Sequence, residues 1–172
     1  CYVDVNELQA AAGRRIAELT HNEAALVVGG CAAGLTEVTA ALMVGTDPAL
    51  IPRLPDTTGL KGEVLIHRTH RNPYDQAVRT SGAALVEFGD EGDTRTGDLE
   101  AAITDRTVAV FYVVATWLRP GALSLEDTIA LAHRHDLPVI VDAAAQLPPV
   151  ANLWHYTRDL GADVAVFSGG KN

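Results

Sequence analysis

Lys171 is the residue of this chain best suited to covalent chemistry. It follows the apolar run VAVFS and two glycines, Gly169 and Gly170. A strand there would carry the lysine to the edge of a crevice, and the glycines would allow a tight turn with close backbone approach. A lysine amine attacks carbonyl carbon when partial desolvation or nearby positive charge lowers its pKa. Only two of the 13 basic residues are lysines, so lysine is avoided wherever a generic positive charge would serve. The competing reading is an ordinary surface lysine in a loop. Asp142 closes PVIVD, a run that otherwise reads as fully buried. A carboxylate in such a place is costly unless a cation or several donors meet it. The protonated nitrogen of a heteroaromatic cofactor is such a cation, and an ionised aspartate would keep it protonated so that the ring draws electrons. Capping of the next helix or turn is the alternative for Asp142.

Other groups could support such a pair. Ser168 could donate its hydroxyl to a phosphate, with help from the Gly169 and Gly170 N–H groups; a turn or cap serine is the plainer reading. Gly29-Gly30-Cys31-Ala32-Ala33-Gly34 runs into a helix, and its small residues would let backbone N–H groups reach an anion at the positive helix end. It is neither a dinucleotide fingerprint nor a P-loop, and it could equally reflect close packing. His70 could stack on a flat ring and Arg71 could bind a carboxylate or phosphate bidentately. A loop histidine bonded to backbone is the competing reading of His70. Tyr74 and Asp75 read as helix-start residues. Gln146, four residues past Asp142, could bond a cofactor ring oxygen or the substrate. Arg95, in GDTRTGDLE, could reach an anionic substrate, although helix N-capping accounts for most of that segment. His133 and His135 lie two apart on a helix, share no face and sit at its end, so they read as structural rather than as metal ligands.

The elements that must position these groups alternate along the chain. Residues 6–20 place Leu8, Ile16 and Leu19 at helical spacing, which predicts an amphipathic helix. AALVVGG (24–30) is a short apolar run, and 35–45 reads as a helix closed by Gly45. Apolar runs of strand length follow at 63–68, 83–89, 108–114, 138–143 and 163–168, with helical patterns near 73–81, 97–104, 124–135 and 152–160. Apolar strands separated by helices predict an α/β fold with a mainly parallel sheet buried on both faces. Ligands in such sheets sit at the strand carboxyl ends, where His67, His70, Arg71, Asp142, Ser168 and Lys171 could converge.

Composition bounds the rest. The 172 residues, 48% hydrophobic and 20% charged, suit one globular domain with a sizeable core. A net charge of −9 argues against a nucleic-acid surface but leaves room for a small anionic ligand. Cys1 and Cys31 match no zinc or redox spacing, which predicts a reducing, cytoplasmic setting. No apolar run approaches the ~20 residues that span a bilayer. A start on Cys1 and an end on Ser-Gly-Gly-Lys-Asn suggest a piece of a longer polypeptide.

GGCAAGLTEVTAAL, HRNPYDQAV, GDTRTGDLEAAI, VIVDAAAQLPP and VFSGGKN together resemble the fold-type-I pyridoxal-phosphate (PLP) enzymes related to bacterial selenocysteine synthase, and within them the D-glucosaminate-6-phosphate ammonia-lyase branch. The resemblance covers nearly the whole chain in order. It implies a three-layer fold in which residues 1–172 are an incomplete large domain, lacking an N-terminal segment and a C-terminal small domain. It implies PLP on a Lys171 Schiff base, Asp142 at the pyridine nitrogen and His70 stacked on the ring. Gly30, Cys31, Ala32 and Ser168 would hold the phosphate, with Gln146 at the cofactor and Arg71 and Arg95 near the substrate. It further implies a homodimer or larger assembly and α,β-elimination from a small amino acid or amino sugar acid, Lys171 acting as base. Trp117-Leu118-Arg119-Pro120 departs from the pattern where a polar substrate-facing residue is expected. The acidic charge and the His-Arg pair at 70–71 argue against the tRNA substrate of a selenium transferase. That transferase, cysteine desulfuration, aldol cleavage and a non-catalytic α/β scaffold are the alternatives.

Overall fold

The computed structural model describes residues 2–118 and 120–171; Cys1, Arg119 and Asn172, which entered the sequence reading, lie outside the described residues. The strands are β1 (Glu63–His67), β2 (Ala84–Phe88), β3 (Thr107–Val113), β4 (Val139–Asp142) and β5 (Val164–Val166). They form one sheet in the order β2-β1-β3-β4-β5, with every neighbouring pair parallel. The helices are α1 (Val5–Thr20), α2 (Cys31–Val44), α3 (Gln76–Thr80), α4 (Thr96–Ala102), α5 (Leu125–Arg134) and α6 (Asn152–Trp154).

Alternation along the strands builds two cores. Val64, Ile66, Ala109, Phe111 and Ile140 face one layer, where Leu35 and Met43 of α2 and Val78 of α3 cover them. Leu65, Val110, Val139 and Val141 face the other, against Leu99 of α4 and Ile129, Leu131 and Ala132 of α5. A sheet apolar on both faces must be covered twice, and the result is the three-layer α/β fold expected. The order also fixes where a ligand can enter. β2 is added on one side of β1 and β3 on the other, so the connections diverge beyond the carboxyl ends of β1 and β3 and open a crevice there.

Boundaries differ from the sequence expectation in instructive places. α2 begins at Cys31 and not at residue 35, so most of the glycine-rich loop is its first turn. Gly30 caps it at φ 117°, and Gly34 inside it is packed so closely that a Cβ would lie 2.8 Å from Val166 Cγ1 and 3.3 Å from Val28 Cγ2. In α1 the buried residues are Gly13, Ala17 and Thr20, whereas Leu8 and Leu19 are each 57% exposed. The leucine spacing therefore marked the helix but not the face it buries; close approach of Gly13 to the Ala25 carbonyl selects that face. AALVVGG forms no regular element and is braced by Gln9 Nε2, which donates to the Val27 carbonyl at 2.7 Å. The expected helix over 73–81 is a 3-10 turn, Pro73–Asp75, followed by the short α3, and 152–160 is α6 followed by a π turn over His155–Asp159. Among the described residues no helix is long and apolar enough to cross a membrane.

Candidate functional site

Asp142 ends β4 at 8% exposure. Its Oδ1 accepts from the Ala144 N–H at 3.0 Å and from the Cys31 thiol at 3.4 Å. Both bonds fall on one oxygen, which leaves Oδ2 the oxygen with capacity for a further donor. Cys31 Sγ also lies 3.8 Å from the Val166 carbonyl. The first residue of α2 thus ties the carboxyl ends of β4 and β5 together. Burial, followed by the charge and hydrogen bond of Asp142, pushes the Cys31 thiol up to about 12, and the Lys171 ammonium opposes that shift.

The turn that carries Lys171 hangs from the loop after β4. Ser168 N–H donates to the Ala144 carbonyl at 3.2 Å, and Lys171 N–H donates to the Ser168 carbonyl at 3.2 Å. The Lys171 side chain is exposed, with Nζ 5.2 Å from the centroid of the Tyr74 ring, at cation–π distance. Tyr74 N–H donates to Asn72 Oδ1 at 2.8 Å, which fixes the 3-10 turn that presents the ring.

The N-terminus of α2 opens on the same side. Gly34 N–H reaches the Gly30 carbonyl at 3.0 Å, so the N–H groups of Cys31, Ala32 and Ala33 have no intrahelical acceptor. Among the described residues no side chain caps this end, and its first turn holds no acidic residue. A Cβ built on Gly30, Gly169 or Gly170 would meet nothing within 4 Å. These three glycines border open space.

His70, beyond β1, is 3% exposed. Its Nδ1 accepts from the Val113 N–H at 3.3 Å, which places the ring proton on Nε2. The ring meets Tyr112 edge-on at 4.5 Å and His67 at 5.5 Å. Burial, and then the neighbouring His67, lower its pKa to about 4, so the imidazole is neutral near pH 7. His70, Tyr112, Val113, Val114 and Leu118 line part of a cavity of about 250 Å³. His67 is buried too: Nδ1 accepts from the Thr69 N–H at 3.1 Å, and Nε2 bonds Thr94 Oγ1. It thereby pins the loop before α4 to the end of β1.

Arg71 is held by Asp75 through Nε and by Glu87 through Nη1. It borders a cavity of about 280 Å³ with Arg68, Thr69, Glu91, Trp117 and Leu118. Gln146 Nε2 donates to the Val114 carbonyl at 2.9 Å, which ties the loop after β4 to the end of β3. Arg95 has a side chain 81% exposed, and its polar contacts, with Asp93 and through its N–H with Asp98, are local. His133 Nε2 pairs with Asp163 at 3.0 Å, and His135 Nε2 lies 3.8 Å from Glu100. Two features escaped sequence reasoning. Tyr74 reads as a helix-start residue, yet it faces Lys171; its place in the segment after β1 was the available signal. The thiol of Cys31 bonds Asp142 across 111 positions, which no local pattern reveals.

A parallel sheet between two helical layers, with polar groups gathered at the strand carboxyl ends, is a general α/β arrangement, and the structural neighbours of this chain are fold-type-I PLP enzymes. The chain belongs to the aminotransferase class-V family, which it matches over residues 61–172. This family and the related enzymes are PLP-dependent. The chain is 33% identical to 5'-C-glycyluridine monooxygenase-decarboxylase from a Streptomyces species over 99% of its length and 43% of that protein. It is 30% identical to D-glucosaminate-6-phosphate ammonia lyase of Salmonella typhimurium over 99% of its length and 46% of that protein. A solved D-glucosaminate-6-phosphate ammonia-lyase superposes with a TM-score of 0.92 at 30% identity, over 99% of this chain and 46% of that one. An L-seryl-tRNA(Sec) selenium transferase of Desulfovibrio desulfuricans is 33% identical over 80% of this chain and 33% of that protein. The chain spans less than half the length of these relatives. Their names cover three kinds of reaction at similar identity, so membership fixes the cofactor chemistry more tightly than the reaction.

Proposed function

We propose that residues 1–172 are the PLP-binding domain of a cytoplasmic, homodimeric lyase or transferase. It acts on a small amino acid or amino sugar acid through a Schiff base at Lys171, with α,β-elimination as the reaction. The observation that supports this reading is the Cys31–Asp142 contact at the strand carboxyl ends, beside a helix N-terminus without a side-chain cap, with Lys171 on the turn that follows β5. The donor set fits the cofactor. Asp142 keeps Oδ2 for a cationic ring nitrogen, and Cys31, Ala32 and Ala33 offer three N–H groups to a phosphate at the positive end of α2. The open space over Gly30, Gly169 and Gly170 leaves room for the group. When bound, PLP supplies an electron-withdrawing ring conjugated to the substrate amine.

The chain's own residues do the rest. Asp142 holds the ring-nitrogen proton. Lys171 Nζ would hold the cofactor and would accept the α-carbon proton. His70, neutral and fixed by Val113, would lie beside the ring without adding charge. Ser168 adds a hydroxyl beside the phosphate, and Gln146 steadies the loop that follows Asp142. Arg71 keeps Nη2 for an anionic substrate group while Asp75 and Glu87 fix its plane, and Arg95 is the second cation for that group. The net charge of −9 favours a small substrate over tRNA.

The test is ammonia release by the purified full-length protein, loaded with PLP, from a panel of β-hydroxy amino acids and amino sugar acids. Lys171→Ala is expected to lower turnover by about 10²–10⁴-fold. Wild-type turnover in that variant would sink the reading.

A further inference from the structure

We infer that Cys31 is a positioning residue for Asp142: its protonated thiol occupies Oδ1 so that Oδ2 alone faces the ring nitrogen. This deepens the PLP reading and rests on it. The geometry is a two-donor clamp on one oxygen. The Ala144 N–H reaches Oδ1 from the loop after β4 at 3.0 Å, and the Cys31 thiol reaches it from the first turn of α2 at 3.4 Å. The N–H lies two residues along the chain from Asp142, so by itself it tethers the carboxylate to its own loop. The thiol comes from a separate element and locks the remaining rotation about the carboxylate to α2. Thus the end of the sheet that would meet a ring and the helix end that would meet a phosphate are tied together through this side chain, beside the close packing of Gly34 on Val166.

Cysteine suits this place chemically. Its thiol is apolar enough to be half-buried beside the Val166 carbonyl, 3.8 Å away, and still donates a hydrogen bond. Against a carboxylate in a buried setting it stays protonated, with its pKa pushed up to about 12, so it remains a donor and a poor nucleophile at physiological pH. A thiolate here would place two negative charges side by side.

The pair is tested first without the cofactor. In a Cys1→Ser background of the full-length apoprotein, iodoacetamide alkylation of Cys31 is followed from pH 7 to 10. Wild-type Cys31 is expected to react slowly with no inflection, and Asp142→Asn to raise the rate at pH 9 about ten-fold, one pKa unit of thiolate. Equal rates in the two proteins would overturn the contact. The second readout is the pH midpoint of the visible absorbance of the PLP-loaded protein. Cys31→Ala is expected to shift that midpoint and Cys31→Ser, which keeps a donor, to restore it. An unshifted Cys31→Ala midpoint overturns the positioning role. A protein that binds no PLP but passes the alkylation test would instead count against the cofactor reading alone.

Discussion

Lowering the pH should destabilise this protein through His70, and the size of the effect follows from its burial. His70 is 3% exposed, accepts from the Val113 N–H through Nδ1, and has its pKa lowered from 6.5 to about 4 by burial first and by His67 second. Unfolded, the imidazole takes a proton near pH 6.5; folded, it does so only near pH 4. Between those values the unfolded state binds more protons, so stability is full above about pH 6.5 and falls as the pH drops through the window. A shift of about 2.5 units at about 1.4 kcal/mol each sets a ceiling near 3.5 kcal/mol, with roughly 2–3 kcal/mol lost between pH 7.5 and 4.5. Carboxylates titrate in the same range, so the assay is a comparison. Urea unfolding of wild type and His70→Phe is measured at a series of pH values. The variant should be less stable overall, because the Val113 N–H loses its acceptor, but its stability should decline less steeply below pH 6.5 by that amount. Identical pH slopes, or a His70 imidazole that titrates at or above 6.5 by NMR, would refute the argument.

Gly30→Ala forces an L side chain to φ 117° with nothing to clash against, so it should cost about 1–2 kcal/mol and raise the PLP dissociation constant, read by fluorescence titration. Gly82→Ala should be more damaging in denaturant melts, because φ is 97° and the added Cβ meets the Pro55 carbonyl, which is backbone and cannot swing away. Leu99→Ala empties a fully buried position between α4 and the sheet and should cost about 2–5 kcal/mol in unfolding free energy while leaving PLP affinity near wild type. Asp142→Asn should leave the fold intact and weaken turnover far more than cofactor retention, since it removes the charge that holds the ring proton while keeping the shape of the side chain; equal kcat in the variant and wild type would speak against that role.

The sheet was legible because burial on both faces writes itself as uninterrupted apolar runs, and each run became a strand within a residue or two at either end. Lys171 and Asp142 stood out for the same reason: each is a charge set where an apolar strand ends. Helix ends and faces were less legible. α2 starts four residues earlier than its apolar pattern because Cys31, Ala32 and Ala33 are small residues that leave its N-terminus open and Gly34 seats it closely on Val166, and neither feature follows apolar periodicity. α1 buries Gly13 and Ala17 where the pattern pointed to leucines, because contact with the backbone of residue 25 outweighs apolar area there. The Cys31–Asp142 bond and the Tyr74–Lys171 contact are products of topology: the crevice joins segments that the chain keeps far apart. The two arginines were legible as candidates for anion binding, but their partners were not, since Arg71 is shared between Asp75 and Glu87 and Arg95 stays on the surface.

The central claim is that Lys171 carries the cofactor. Borohydride reduction of the PLP-loaded full-length protein, followed by peptide mapping, tests it most directly. A visible band that bleaches on reduction and a pyridoxyl mass on Lys171 are expected. A protein that stays colourless with added PLP, or a label confined to Lys61, would contradict it.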